Sequence, residues 1–323
     1  MLKVAIVGAT GVVGETIARV LEERNVPVAT LGRFASRARD GVEATTPERL
    51  RDFDVVFFAG GEDASETYAP ALVENGTFVI DNSSTFRMRA DVPLVIPEVN
   101  PGDVSPEHRL FPVANCTAII LCSALAPIRD AAGLKSVRVA TYQSASGAGR
   151  AGLDELLAGE RAIARGENEP SPATFLRPLA RNVIPQIGSF DDSGYSGEER
   201  KVADETRKML GLPELFVSAT AVRVPVRTAH SEAVWVETAR DTSVEALAAA
   251  FAQAPGIIYH ADGIVTPREV EGTDLVHVAR VRAERPDSRR HFVLWCAGDQ
   301  LRKGAATNAV QILELLMARG VVG

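Results

Sequence analysis

KVAIVGATGVVGETIARVLEER, residues 3–24, decides how this chain begins to fold. Its first five residues form a short apolar, β-branched run, the mark of a strand buried in a parallel sheet. The run leads straight into GATGVVG (residues 8–14) and then into ETIARVLEER, whose apolar residues recur at helical spacing. Strand, glycine-rich turn and helix together make the opening of a dinucleotide-binding unit. Gly8 allows the tight turn, Gly11 lets a pyrophosphate approach the backbone at the helix N-terminus, and Gly14 permits close packing of helix on strand. The spacing by itself also suits a plain strand-to-helix turn.

Working outward, a second strand is expected at 28–31. An NAD site usually places Asp or Glu at the end of that strand to hold the ribose 2′-hydroxyl. This chain instead offers Gly32, Arg33, Phe34, Ala35, Ser36, Arg37, Ala38 and Arg39. A hydroxyl and several guanidinium groups suit a 2′-phosphate, which favours NADP; a solvated basic loop is the competing reading. Residues 54–61 and 77–82 read as two more buried strands with a helix at 64–75 between them, and 92–101 as a further extended segment. Arg87 follows the hydroxyl-rich loop DNSSTF, so it is either a bidentate anion holder or a surface arginine.

The stretch LFPVANCTAIILCSALAPI, residues 110–128, sets Cys116 at the junction of an apolar strand end and a helix rich in small and apolar residues. A thiol in the first helical turn faces unpaired N–H groups and the positive end of the helix dipole, so it loses its proton more easily. The other reading is a small buried hydrophobe. Cys122, past that turn, reads as core.

Beyond this helix the pattern changes. Strands are expected at 136–142, 215–224, 231–238, 276–281 and 292–296, and helices at 152–165, 197–210, 243–254 and 304–319. Period-two alternation in SEAVWVET (231–238) marks a half-buried antiparallel strand. The expected fold is α/β: an N-terminal Rossmann-type NADP-binding domain, then an α+β domain with a mixed, largely antiparallel sheet. Residues 166–196, rich in Pro, Gly, Asn and Ser, read as an irregular excursion covering the site or a subunit partner.

Composition bounds the function. The chain has 323 residues, 46% hydrophobic and 24% charged, with a net charge of −7. That suggests roughly two soluble domains with an ample core. No basic patch tracks a phosphate backbone, so a nucleic-acid partner is not expected. No apolar run reaches the roughly 18 residues of a membrane span, and MLKVAIVG is unlike a secretory leader. Three cysteines give no disulfide framework and fit a reducing cytoplasm. No metal site is expected.

Several residues carry potential chemistry. His230 lies between the strands AVRVPV and SEAVWVET, with Arg223 seven residues upstream. A histidine beside a thiolate serves as general base and then acid, and an arginine beside them suits a substrate carboxylate. A satisfied turn histidine is the bland alternative. On a regular strand Arg223 and Arg227 share a face. In QSASGAG (143–149), small residues including Ser146 and Gly147 expose N–H groups that can cradle an anion or cofactor, and Gln143 can donate to an oxyanion. The same loop also suits a flexible linker. Glu198 and Lys201 lie three apart on a helix, able to hold an amino group and an anion, or simply a solvated pair.

With these residues in view, the chain resembles the aspartate-β-semialdehyde dehydrogenases from end to end. GATGVVG at 8, DNSSTFRM at 81, VPLVIPEVN at 92 and NCT at 115 match in order. So do YQSASGAG at 142, EERK at 198, VRVPVRTAHSE at 222 and KGAATNAVQI at 303. The resemblance implies NADPH-dependent reductive dephosphorylation of L-4-aspartyl phosphate to L-aspartate 4-semialdehyde. That step leads towards lysine through diaminopimelate, and towards threonine, methionine and isoleucine. By family pattern Cys116 becomes a thioacyl enzyme, Gln143 orients it and His230 is acid/base. Arg223 would hold the α-carboxylate, Glu198 the amino group, and Lys201, Arg87 and Asn115 the phosphate. Thr10, Gly11, Val12, Val13, Ser36 and Arg37 fit the cofactor phosphates, and Asn308 its nicotinamide side. The pattern implies a discontinuous cofactor domain (1–115 plus 301–323), a catalytic and dimerisation domain (116–300), and a homodimer or homotetramer. The chain departs at Ala118, where many members carry Ser or Thr, and 166–196 matches only loosely. An N-acetyl-γ-glutamyl-phosphate reductase, a silent paralogue and a nucleotide sensor are the alternatives. A free-amine partner such as Glu198 argues against the first, and the presence of both Cys116 and His230 against the second.

Overall fold

The N-terminal apolar run forms β1 (Leu2–Val7), buried at every position but Lys3. In the computed structural model, which describes residues 1–323, the elements that follow divide into two units. The first is Met1–Asn115 with Gly304–Gly323, and the second is Cys116–Lys303.

In the first unit the turn after β1 feeds α1 (Val12–Glu23), then β2 (Val28–Ala35), β3 (Glu43–Ala44) and α2 (Pro47–Leu50). Next come β4 (Val55–Phe58), α3 (Glu62–Glu74), β5 (Phe78–Asp81) and β6 (Leu110–Pro112). The strands form one sheet in the order β3-β2-β1-β4-β5-β6, with every pairing parallel. The order reverses direction between β1 and β4, which opens a crevice at the strand C-termini. The glycines of the turn are fixed by space. Gly8 has φ +83, and a Cβ there would lie 2.6 Å from the Ala59 and Gly60 backbone. A Cβ on Gly14 would lie 2.3 Å from the Gly8 carbonyl oxygen. The chain's last helix, α9 (Thr307–Ala318), belongs to this unit. Arg24 at the end of α1 holds it through a forked bond to Glu314, at 2.8 and 2.7 Å.

Two expectations need correction here. Strand β2 runs on to Ala35, because Phe34 is fully buried against the edge of Phe53 and its carbonyl accepts from Gly8 and Ala9 N–H. The exposed basic segment therefore begins only at Ser36. Residues 92–101 form no strand. Pro93, Pro97 and Pro101 withhold ladder donors, and the Asn100 side chain pins the turn by accepting from Ile96 N–H and donating to the Leu94 carbonyl.

The second unit starts with α4 (Cys116–Ala132), then β7 (Leu134–Gln143), α5 (Gly149–Ala164), α6 (Gly197–Leu210), β8 (Phe216–Arg223) and β9 (His230–Thr238). It continues with α7 (Val244–Gln253), β10 (Ile257–His260), α8 (Pro267–Val270), β11 (Val276–Ala283) and β12 (His291–Gly298). Its sheet runs β10-β11-β12-β9-β7-β8, antiparallel through the middle with one parallel pair at each edge. Helix α4 is buried almost all round because it lies between this sheet and α6 and α7. Strands β3 and β10 and helices α2 and α8, none longer than four residues, went unread in the sequence. No helix is long and apolar enough to cross a membrane.

Two predictions follow from packing. Gly14→Ala drives a methyl into the Gly8 carbonyl, so it should destabilise the protein by about 1–3 kcal/mol; an unchanged melting temperature would refute the steric account. The second concerns Glu232, which is fully buried on β9 opposite Cys296 of β12, whose Sγ donates to it at 3.4 Å. Burial pushes its carboxyl up to about 8. The folded carboxyl keeps its proton above the point where the unfolded one loses it, so stability declines as pH rises from the ordinary glutamate range towards 8. Glu232→Gln should therefore melt several degrees above the parent at pH 8 and with it at pH 4. Equal melting curves at both would rule this out.

Candidate active site

Strand register brings the second unit's chemistry to one end of its sheet. Parallel β7 and β8 finish together, with Gln143 beside Arg223. Antiparallel β9 begins there with His230, opposite Gly298 at the finish of β12. Helix α4 runs its 17 residues away from Cys116, and β7 returns over a similar length.

Cys116 is the first residue of α4, at the positive end of the helix, as its sequence position implies. It is half-exposed, whereas Cys122 and Cys296 are fully buried, and no disulfide is formed. Burial pushes the Cys122 thiol up to about 12 and Cys296 well above the ordinary thiol range. Only Cys116 is placed to react.

Arg223 is 6% exposed, and its Nη1 donates to the Ser144 carbonyl at 2.6 Å. Burial pushes it below the usual arginine range, while the charges of Glu198 and Cys116 oppose that shift. Guanidinium, thiol and carboxylate thus share one neighbourhood. The excursion 166–196 builds the site's wall: Ile184 exchanges both backbone hydrogen bonds with Arg223, and Phe175 lies 5.7 Å beneath its guanidinium. Arg227, by contrast, lies beyond the end of β8 and is exposed, so the shared face expected with Arg223 does not extend to it.

Glu198 is set by the start of α6. Ser196 and Glu199 form a capping box, and Glu199 Oε1 also accepts from Ala221 N–H of β8 at 2.9 Å. That clamp holds Glu198 where Gln143 Nε2 donates to it at 2.9 Å, while Thr141 donates to Gln143 Oε1 at 3.1 Å. Lys201, one turn on, is exposed.

His230 is fully buried, and burial first, then the Arg223 charge, pushes it well below the usual histidine range. The ring is neutral at pH 7. Its Nδ1 accepts from Ser144 N–H at 3.1 Å, and its Nε2 has no hydrogen-bond partner. Gly147 is the exposed window over this pair: a Cβ there would meet Arg223 Nη1 at 2.7 Å and His230 Cε1 at 3.0 Å. The open amides expected in this loop are not found. Ser144, Ala145, Ser146 and Gly147 N–H all donate internally, to His230, Val226, Arg227 and Ser144 respectively. The Ser146 hydroxyl accepts from Gln300 Nε2 at 2.6 Å. Ser144, Gln300 and Glu199 escaped the sequence reading, because their roles depend on partners 86, 71 and 22 residues away.

In the first unit, Gly8, Thr10, Gly11, Ser36 and Gly60 line a groove of about 610 Å³ at the switch point of the sheet. Gly11 caps α1 without a side chain, so no side-chain acceptor competes for the first-turn N–H groups of Val12 and Val13. No acid follows β2. Ser36 and exposed Arg37 stand there instead, which fits a dinucleotide bearing a 2′-phosphate. Arg87 is 8% exposed, not a surface arginine, and donates to the Asn82 carbonyl at 3.0 Å. Asn115, also buried, immediately precedes Cys116. Asn308 is fully buried in α9 and donates to the Val95 carbonyl at 2.9 Å. No group of three or more His, Cys, Asp or Glu is arranged to hold a metal ion.

Known proteins agree with this layout. Residues 3–106 match the family described as semialdehyde dehydrogenase, NAD binding domain, and residues 125–303 match semialdehyde dehydrogenase, dimerisation domain. The chain is 41% identical to an aspartate-semialdehyde dehydrogenase of Aquifex aeolicus, with 99% of each chain covered. It is similar to the crystal structure of aspartate semialdehyde dehydrogenase II from Vibrio cholerae, with a TM-score of 0.93 and 41% identity over 98% of this chain and 99% of that one. A structure of the same Vibrio enzyme complexed with ASA matches with a TM-score of 0.93 at 40% identity, covering 98% of each chain. Through both of its halves and along its whole length, the chain belongs to the aspartate-semialdehyde dehydrogenase family.

Proposed function

We propose that this chain reduces L-4-aspartyl phosphate to L-aspartate 4-semialdehyde, releasing phosphate, as an NADP-dependent cytoplasmic enzyme of lysine, threonine, methionine and isoleucine biosynthesis. One observation carries the reading: a single accessible thiol at a helix start shares its surroundings with a buried arginine whose other charged neighbour is Glu198.

Cys116 Sγ attacks the acyl carbon. A C–S bond forms, the C–O bond to phosphate breaks, and a thioacyl enzyme remains. An acyl phosphate is already activated, so a soft thiolate needs only proximity and orientation. Gln143 orients the carbonyl, Arg223 takes the α-carboxylate and Glu198 the amino group. His230 moves the proton at Nε2, the atom under the Gly147 window. The family pattern assigns the phosphate to Arg87, Asn115 and Lys201. Gly8, Thr10, Gly11, Val12, Val13, Ser36 and Arg37 hold the cofactor's phosphates, with Ser146, Gly147 and Asn308 completing its set. When bound, NADPH supplies the hydride that reduces the acyl carbon. The cofactor domain is then discontinuous, closed by α9. The second unit carries the family's dimerisation domain, and the assembly is read as a homodimer or a homotetramer.

The test follows NADP reduction with aspartate semialdehyde and phosphate, with NAD in parallel. Turnover should require phosphate and prefer NADP; N-acetylated glutamate semialdehyde should be a poor substrate, since Glu198 selects a free amine. Cys116→Ala should lose at least about a thousandfold in kcat while still binding NADPH. Retained turnover would sink the assignment. Arg37→Ala should raise KM for NADP about tenfold and leave NAD unaffected; an equal loss with both would move the 2′-phosphate contact elsewhere.

A further inference from the structure

Two segments far apart in sequence hold His230, and one buried side chain ties them together. The turn before β9 carries its backbone. The loop after β7 holds its ring, where the Ser144 N–H donates to Nδ1 at 3.1 Å. Gln300 lies two residues past Gly298, the partner of His230 at the finish of β12, and is 2% exposed. Its Oε1 accepts from Ala229 N–H at 2.7 Å, and its Nε2 donates to Ser146 Oγ at 2.6 Å. A backbone N–H only donates, so the oxygen must face Ala229 and the Nε2 must face Ser146. One end grips the residue before His230, and the other grips the loop two residues beyond Ser144.

The grip on Ala229 falls where the backbone needs it. Ala229 is left-handed at φ +68, which costs free energy for a residue with a Cβ and persists only where the surroundings over-determine it. The Ala229 methyl belongs to a buried cluster with Val265, Val270, Ala279 and Ala297. Packing fixes the Cβ, and Gln300 fixes the N–H. The backbone angles at 229 set the direction in which β9 starts, and so where the His230 ring is carried. Gln300 is itself held from behind. Asp299, 3% exposed, accepts from Leu301 and Arg302 N–H at 2.8 and 3.1 Å through Oδ1, and from Gly272 N–H at 2.7 Å through Oδ2. The loop's own backbone bonds reach the carbonyls of Val226 and Arg227. Gln300 extends that tie to Ala229.

We propose that Gln300 is a positioning residue for His230: by bridging Ala229 to Ser146 it locks the turn against the loop and keeps Nε2, the ring atom with no hydrogen-bond partner, in its place under Gly147. This rests on His230 being the proton-transfer group of the proposed reaction. Both ends of the Gln300 amide are engaged within the protein, so it acts through the ring and not on substrate or cofactor. A displaced ring slows the step it serves and leaves the ligands bound as before.

The test is steady-state kinetics on the full-length chain. Gln300→Met keeps the bulk and removes both bonds. Its kcat should fall about tenfold to a hundredfold, with KM for aspartate semialdehyde and NADPH affinity within about twofold of the parent. Gln300→Glu should restore most of kcat, because a carboxyl accepts from Ala229 N–H and meets the Ser146 hydroxyl as donor or acceptor. In a His230→Ala background Gln300→Met should cost nothing further, since the ring it positions is gone. Losses that multiply, a weakened NADPH affinity, an unaltered kcat, or a Gln300→Glu protein no faster than Gln300→Met overturns the proposal. If Gln300→Met does not fold, Gln300→Asn, too short to span both partners, is read by the same criteria. A parent without aspartate-semialdehyde activity would instead strike the functional reading. The bridge is then decided by long-range ¹H–¹⁵N correlation on histidine-labelled protein, with the His230 signals assigned by their loss in His230→Gln. Those signals should shift in Gln300→Met, and unshifted signals overturn the bridge.

Discussion

A guanidinium held almost out of water is the constraint on which the second unit's site depends. Arg223 cannot lose its charge, so the surroundings must compensate it. The Ser144 carbonyl, the Phe175 ring and the Glu198 carboxylate each do part of this. The features that looked incidental follow from it. The excursion between α5 and α6 lays Ile184 and Phe175 along that arginine. Gly147 lacks a side chain because one would strike Nη1. His230 stays neutral partly because a second positive charge beside Arg223 costs free energy.

The same buried setting sorts three chemically identical thiols into one accessible group and two core residues. Cys116 begins a helix at partial exposure, where an anion gains from the first-turn N–H groups. Cys122 lies inside that helix, and Cys296 sits opposite Glu232, so burial first, and then the Glu232 carboxylate charge, disfavours their thiolates. Position relative to water and to a helix end outweighs residue type.

What could be read in advance follows from how local each constraint is. The glycine turn was legible because its sterics involve backbone within one strand–turn–helix unit, and only Gly8's partners on the β4 side lay beyond it. The strands of the second sheet were legible from alternation, and their meeting at Gln143, Arg223 and His230 follows once parallel and antiparallel pairings are known. The loop after Gln143 misled. Small residues announce exposed amides, yet all four N–H groups turn inward: Val226 and Arg227 of a distant connection present carbonyls to two of them, His230 Nδ1 takes a third and the Ser144 carbonyl the fourth. The tail of β2 misled for a related reason: basic residues suggest a loop, while one buried phenylalanine keeps the strand going. Composition reports solubility locally, but pairing is decided by segments far away in sequence.

On the function proposed above, the two units recognise their ligands by opposite means. The cofactor groove works by what is missing: no side chain at Gly8, Gly11 or Gly60, no side-chain cap on α1, and no acid directly after β2. Its backbone dipoles are fixed by the fold and tolerate little added bulk. The other site works by what is present but short of water, a neutral imidazole, a compensated guanidinium and a carboxylate bonded to an amide. Such groups are strong because competing solvent is excluded, and they lose most when one partner is removed. Substitutions in the first should therefore act sterically and independently, whereas those in the second should be strongly non-additive, since each charge there is set by its neighbours.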